Sequence, residues 1–284
     1  MTYSVLEFMK QFPDDDTCLE HLFVTRFGEV SEAHCPKCGE IGKIKRLRKL
    51  PAYTCNCGHH IHPMKDTPFE RSTTPLQKWF YAMYLFTTSR HGVPAKELQR
   101  QLGVTYKTAW RIGHEIRKYM ANIDGDNGLS GTVEADETYI GGKRKGTRGR
   151  GAGNKTVVFG MIEKGGDAMT KVITRATTAQ LQGNIIQNGE NGATIHTDEW
   201  SAYRGLGQIG YSHETVEHGK KEYARNGVHV NAVEGFWSQI KRSIKGTHVH
   251  VSKQHMEKYL GEFEFRYNLR KTPDIMFSHL LASF

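Results

Sequence analysis

The chain has 284 residues, a formal net charge of +9 and 37% hydrophobic residues. This length and composition allow one large domain or several small ones, and the basic balance favours an acidic partner such as nucleic acid. No apolar run approaches the roughly 18 residues of a membrane span, and the N-terminus lacks the apolar run of a signal peptide. We therefore expect a cytoplasmic protein with no membrane partner.

The hydrophobic pattern divides the chain into four zones. A helix is predicted within residues 1–30, where Leu19, Leu22 and Phe23 share one face. Residues 31–65 contain four of the five cysteines, and residues 75–121 follow a helical period that is interrupted at Gly103. In the last zone, strands are predicted near 131–140, 155–163, 168–175, 193–197 and 211–217, and helices at about 177–188, 231–245 and 253–270. This succession predicts an α/β fold, a mixed sheet with helices packed on it.

The clustered cysteines predict a metal site. Cys35 and Cys38 form "CPKC", Cys55 and Cys57 form "CNC", and residues 39–54 separate the two pairs. Two such pairs are typical of a zinc ribbon that holds one structural Zn²⁺. The second pair is one residue shorter than usual, so the fourth ligand is either Cys57 or a histidine from the set His59, His60 and His62. The fifth cysteine, Cys18, is expected in a helix core.

The helical zone contains a pattern typical of a helix-turn-helix. The segment "PAKELQRQLG" ends at Gly103, and Thr105 is a good N-cap for the next helix. The first turns of that second helix would contact DNA through Tyr106, Lys107, Thr108 and Arg111. The alternative is an ordinary pair of antiparallel helices.

The segment "KRKGTRGRGAGNK" (143–155) contains six basic residues, four glycines and no acid. This composition predicts a flexible basic loop between two strands. Phosphate contacts would come from Lys143, Arg144, Lys145, Arg148 and Arg150. The alternative is a solvated hairpin tip.

Three acids occur in the predicted strand "VEADETYIGG". Strand alternation places Glu134 and Asp136 on one face and Glu137 on the other, so we expect Glu137 at the surface. Glu134 is either a support for Asp136 or a surface charge. Two more acids occur later in the chain: Asp198 ends the strand "ATIHT", and Glu234 lies in a helix after residues 199–233.

With these acids, the chain resembles bacterial insertion-sequence transposases that join an N-terminal zinc ribbon to a DDE catalytic domain. Besides the cysteine pairs, the matching stretches are "PLQKWFYAMYLFTTS", "ELQRQLGVTYKTAWRIGHEIR", "VEADETYIGG", "HTDEWSAY", "NAVEGFWSQIKRSIKG" and "EFEFRYN", within residues 18–270. The resemblance implies an RNase H-like fold of the integrase superfamily. The expected domains are an N-terminal helix with zinc ribbon (1–70), a helix-turn-helix region (71–125) and the catalytic domain (130–284).

The resemblance also implies a catalytic triad of Asp136, Asp198 and Glu234. These acids would hold two Mg²⁺ or Mn²⁺ ions, the arrangement that phosphodiester chemistry uses with hard oxygen ligands. Lys241, two helical turns after Glu234, would contact phosphate unless it is an ordinary solvated lysine. Asn231, one turn before Glu234, would assist it or replace it.

The implied function is a DNA transposase that cleaves and transfers DNA strands. Its partners would be double-stranded DNA, namely terminal inverted repeats and target DNA, and it would act near the bacterial nucleoid as a homodimer or higher oligomer. Two alternatives stay open. One is an RNase H-like nuclease without strand transfer, and the other is a catalytically inactive zinc-ribbon DNA-binding protein.

Overall fold

A computed structural model of the protein describes residues 3–123, 128–141, 155–216 and 228–284. The chain forms two compact units, one of residues 1–119 with 272–284 and one of residues 120–271. The end of the chain therefore packs with its N-terminal part. In these described ranges, no helix combines the length and apolar character needed to cross a membrane.

The first unit combines helices with a small antiparallel sheet. Its helices are α1 (Val5–Gln11), α2 (Asp15–Phe27), α3 (Leu76–Thr88), α4 (Ala95–Leu102), the larger part of α5 (Tyr106–Ile123) and α9 (Met276–Ala282). Its sheet has the strands β1 (Ile44–Arg46), β2 (Tyr53–Cys55) and β3 (His60–Ile61) in that order. The predicted α2 face is confirmed, since Leu19, Leu22 and Phe23 are buried, and Cys18 is buried beside them.

The second unit contains a mixed five-stranded sheet. Its strands are β4 (Thr132–Ile140), β5 (Thr156–Glu163), β6 (Ala168–Ile173), β7 (Thr194–Asp198) and β8 (Ser212–Val216). The order is β6-β5-β4-β7-β8, with β5 antiparallel to both neighbours and β4, β7 and β8 parallel. The helices are α6 (Thr178–Asn188), α7 (Asn231–Ser243) and α8 (Met256–Asn268). The predicted mixed sheet flanked by helices is confirmed.

Both faces of this sheet are covered, which explains why the central strand β4 is buried on two sides. One core contains Val133 and Ala135 of β4 with Leu181 and Ile185 of α6. The opposite core joins the sheet to α7 and α8, and includes Val158, Ile162, Val233, Trp237 and Phe263. Alternate β4 residues therefore point into different cores, as period-2 geometry requires. Any carboxylate on β4 must accordingly be neutralised or hydrogen-bonded.

Candidate active site and zinc centre

Asp136 and Asp198 lie on neighbouring parallel strands. The register pairs Glu134 of β4 with His196 of β7, and Asp136 and Asp198 each lie two residues further along these strands. Burial raises the pKa of Asp136 to about 7, with further contributions from the negative charges of Glu137 and Asp198. The backbone N–H of Trp200 donates to Asp198 Oδ1 at 3.0 Å. The charge of Asp198 acts on Asp136, so the two carboxylates are close; Asp136 lies in the middle of β4 and Asp198 at the carboxyl end of β7, the kind of position where ligands commonly bind.

Helix α7 contacts this pair through Trp237. Its indole Nε1 donates to Asp136 Oδ2 at 3.0 Å, and the side chain is buried against the sheet. Phe236 and Trp237 are both buried in the core between α7 and the sheet. The direct bond to Asp136 was not predicted. The sequence feature that could have suggested this bond is the position of Trp237, three residues after Glu234 on the same helix.

Glu134 is buried and joins β4 to the start of α7. Its Oε2 accepts from the backbone N–H groups of Ala232 at 2.8 Å and Val233 at 3.0 Å. His229 Nδ1 lies 2.9 Å from the other oxygen, Oε1. The surface-charge alternative for Glu134 is wrong, because the residue faces the core that contains α7 and is only 1% exposed.

The prediction that Glu137 lies at the surface is also wrong. The strand alternation is confirmed, because Glu137 points away from Asp136, but α6 and the following segment cover that face of the sheet. Glu137 is 7% exposed, and its Oε2 accepts from the hydroxyl of Tyr203 at 2.9 Å. Burial raises the pKa of Tyr203 well above its usual value, and the charge of Glu137 adds to the effect.

The remaining predicted catalytic residues lie on α7. Asn231 is the first residue of the helix, Glu234 lies in its first turn, and both are exposed. Lys241 is exposed as a residue, yet the burial around its ammonium group lowers its pKa, while the nearby charge of Asp136 acts in the opposite direction. Helix α7, which carries Glu234 and Lys241, therefore packs on the face of the sheet that contains Asp136.

The four paired cysteines converge. Within the described part of the chain, they are the one group of three or more potential metal-ligating side chains whose ligand atoms all lie within 4.8 Å of one another. Sγ–Sγ distances are 3.7 Å for Cys35–Cys57 and 3.6 Å for Cys38–Cys55. Tetrahedral Zn²⁺ with bonds of about 2.3 Å requires sulfurs about 3.8 Å apart, so the site fits zinc. Cys57, rather than a histidine, completes the set of four.

The thiolate form is favoured at Cys35, whereas burial and the neighbouring cysteines outweigh the backbone N–H groups at Cys38, whose pKa is raised to about 12, and at Cys55, whose pKa is also raised. Burial acts to raise the pKa of Cys35, but N–H groups of Cys38 and Lys37 and neighbouring thiols lower it to about 6. Thiolate sulfur is the form that binds zinc. The ribbon is attached to α2 through ring stacking of Phe23 on Tyr53, with centroids 4.0 Å apart.

Two helices joined by a short turn are present where the helix-turn-helix was predicted. Helix α4 ends at Gly103, whose φ of 60° is left-handed, and Thr105 Oγ1 accepts from the N–H of Thr108 at 3.2 Å. The next turn exposes Tyr106, Lys107 and Arg111, while Thr108 is half-buried.

One aromatic residue on this face was not predicted. Trp110 is 39% exposed and follows Tyr106 at the i+4 spacing that places two side chains on one helix face. The i+4 spacing from Tyr106 could have identified Trp110 from the sequence.

Most of the predicted basic loop lies outside the residues that the structure describes. Lys143, Arg144, Lys145, Arg148 and Arg150 lie outside the described residues, and only Lys155 at the end of the segment is described. Lys155 is half-buried and its charge contributes to the lowered pKa of Lys241. The end of this segment is therefore close to α7.

Residues 128–268, which contain all three predicted catalytic acids, match the family described as the ISXO2-like transposase domain. This stretch, just under half of the chain, is therefore an ISXO2-like transposase domain. The match confirms the prediction of a DNA transposase of insertion-sequence type.

Two relatives carry related names. A Halobacterium salinarum protein, "Uncharacterized protein in transposable element ISH50", is 29% identical over 261 residues, covering 84% of this chain and 87% of the relative. A Haemophilus influenzae protein, "Uncharacterized transposase-like protein", is 28% identical over 99 residues, covering 35% of this chain and 79% of the relative.

Solved structures of Mos1 transposase show weaker similarity. A paired-end complex with the left transposon end has a TM-score of 0.31 and 14% identity, covering 72% of this chain and 78% of that chain. A Mos1 strand transfer complex has a TM-score of 0.32 and 11% identity, covering 72% and 77%. TM-scores this low carry no argument, so the transposase assignment rests on the domain match.

Proposed function

We propose that this transposase cleaves DNA at the ends of its element and joins the freed 3′ ends to target DNA. The observation that carries the proposal is the placement of Asp136 and Asp198 on neighbouring parallel strands, close enough for the charge of Asp198 to help raise the pKa of Asp136 to about 7. Asp136, Asp198 and Glu234 are the catalytic acids in this proposal.

The donor set fits two Mg²⁺ or Mn²⁺ ions. Carboxylate oxygens are the ligands that hard divalent cations prefer, and two adjacent carboxylates in a partly buried site repel each other until a cation neutralises them. Bound ions would supply charge stabilisation at the attacking and leaving oxygens. Asp136 and Asp198 would hold the ions together with Glu234 of α7, the helix whose Trp237 bonds to Asp136.

Two further residues have supporting roles in this proposal. Lys241, close enough for the charge of Asp136 to affect its pKa, contacts a DNA phosphate. Asn231 lies one turn before Glu234 and assists it, because a neutral amide is a weaker Mg²⁺ ligand than a carboxylate.

The first unit recognises the DNA ends. The exposed start of α5 offers Tyr106, Lys107 and Arg111, and Thr108 lies on the same turns. Basic side chains neutralise phosphates, and the first turn of the second helix in a helix-turn-helix enters the major groove. In the proposal, the zinc ribbon and the basic loop 143–155 also contact DNA. Joining two ends requires at least a homodimer on DNA, in the bacterial nucleoid.

A strand-transfer assay tests the proposal. Duplex DNA carrying the terminal repeat is incubated with the full chain, Mg²⁺ and a target plasmid. The expected products are nicked ends and joined DNA, and Asp136→Asn should retain end binding while losing both reactions. Cleavage without joining would favour a nuclease, and binding without cleavage in Mg²⁺ or Mn²⁺ would favour an inactive DNA-binding protein.

A further inference from the structure

Glu134 is a buried acid whose carboxylate is hydrogen-bonded to a helix. Its side chain is 1% exposed on the central strand, and its Oε2 accepts two backbone N–H groups of α7. Helix α7 begins at Asn231, and the preceding residue, Val230, gives no side-chain cap. The first N–H groups of a helix need acceptors from elsewhere, and here a residue about a hundred positions earlier in the sequence provides them.

The capped turn of α7 also carries a proposed catalytic acid. Val233, whose N–H binds Glu134 at 3.0 Å, immediately precedes Glu234. The N–H of Glu234 makes one of the first bonds of the helix, to the carbonyl of Val230 at 3.1 Å. A carboxylate at a helix N-terminus also interacts favourably with the helix dipole. Glu134 therefore fixes the turn of α7 that carries Glu234.

We propose that Glu134 is a positioning residue for the catalytic site, which holds Glu234 at the correct distance from Asp136. The inference rests on the proposed function, because it assumes that Glu234 is a metal ligand. Asp136 lies two residues after Glu134 on the same face of β4. This strand therefore carries Asp136 and also fixes the turn of α7 that carries Glu234. Both oxygens of Glu134 already face protein groups, since Oε2 accepts from α7 and Oε1 lies 2.9 Å from His229 Nδ1, which favours a role in holding α7 over one in binding metal.

The substitution Glu134→Gln separates positioning from metal binding. A glutamine oxygen can accept both α7 N–H groups in place of Oε2, while the amide nitrogen would face His229. Glu134→Ala removes the acceptor completely. Thr177→Ala is a matched control, because Thr177 caps α6 in the same unit by accepting from the N–H of Gln180.

The first measurement needs neither metal nor DNA. Hydrogen exchange of the Ala232 and Val233 amides should accelerate at least about tenfold in Glu134→Ala, and stay near wild type in Glu134→Gln and Thr177→Ala. Unchanged exchange in Glu134→Ala would overturn the proposal whether or not the protein is a transposase.

The second measurement is Mn²⁺ binding by calorimetry and terminal-repeat cleavage, both with the full chain. Glu134→Ala should weaken Mn²⁺ binding by about 10- to 100-fold, the usual effect of removing a group that orients a ligand. Glu134→Gln should restore binding and cleavage, and Thr177→Ala should leave metal affinity unchanged. If Glu134→Gln is as inactive as Asp136→Asn, Glu134 is a ligand and the proposal fails. If wild type neither binds Mn²⁺ nor cleaves while the exchange result holds, the proposed function fails and Glu134 keeps only its capping role.

Discussion

The indole of Trp237 lies directly against Gly160, the residue that pairs with Asp136 across β4 and β5. A Cβ on Gly160 would be 2.5 Å from Cη2 and Cζ2 of the indole, a distance that side chains do not tolerate. The same indole donates to Asp136 at 3.0 Å. A glycine on one strand thus permits the ring contact that orients a carboxylate on the next strand.

Gly160→Ala should therefore damage the site. The added methyl group forces Trp237 away from the sheet and breaks its bond to Asp136. We expect a loss of about 1–3 kcal/mol in the free energy of unfolding, typical of overpacking, and a decrease in DNA cleavage. Gly183→Ala in α6 is the control, because nothing lies within 4 Å of its added Cβ. Equal stability and activity in the two variants would contradict the proposed contact.

Trp237→Phe tests the hydrogen bond while keeping an aromatic ring. The indole N–H lowers the pKa of Asp136 against the larger opposing effect of burial. Without this bond, the pKa should rise above its present value of about 7, and the acidic limb of the cleavage–pH profile should move to higher pH. Trp79→Phe is the control, since it also loses an indole bond, to Ser72 Oγ at 3.1 Å. An identical shift in both variants would show that the effect is not specific to Asp136.

Asp136→Asn should change the pH dependence of stability. Burial raises the folded-state pKa of Asp136 to about 7, above the value of about 3.9 in an unfolded chain. The folded state therefore binds this proton more tightly, and the contribution of Asp136 to stability falls as the pH rises from about 4 to 7. Without added divalent cations, the variant should gain about 1–3 kcal/mol over wild type between pH 5 and pH 8.

Urea unfolding at the two pH values measures this difference. Addition of Mg²⁺ at pH 8 should stabilise wild type more than the variant, because ligands stabilise the state that binds them. A stability difference that is independent of pH would contradict the raised pKa.

Cys57→Ser should release the structural zinc. The Sγ of Cys57 lies 3.7 Å from that of Cys35, and a ribbon this small depends on its metal for folding. We expect less than one zinc per chain by elemental analysis and loss of the β1–β3 sheet. His59→Ala is the matched control and should keep a full zinc content. Zinc loss in His59→Ala together with retention in Cys57→Ser would assign the fourth ligand to the histidine.

Much of the fold follows from local sequence. The predicted strands and helices of the second unit agree with the structure to within three residues, because their apolar periods are long and end at clear turn residues. The alternation of β4 likewise predicted that Asp136 and Glu137 point in opposite directions. Local periodicity does not reveal what covers each face, so it predicted Glu137 at a surface that α6 and its neighbours in fact bury.

The sequence by itself determined the cysteine pairs, the two helices around Gly103 with the Thr105 cap, and the order of acids that indicates a transposase. Only the tertiary structure decided the hydrogen bonds of Glu134, the convergence of Cys57 with the other three paired cysteines, and the bond between Trp237 and Asp136. These features depend on partners far apart in the chain, such as Glu134 and Val233, separated by 99 positions. Strand register and helix placement bring such partners together, and neither is encoded in the spacing of a single motif.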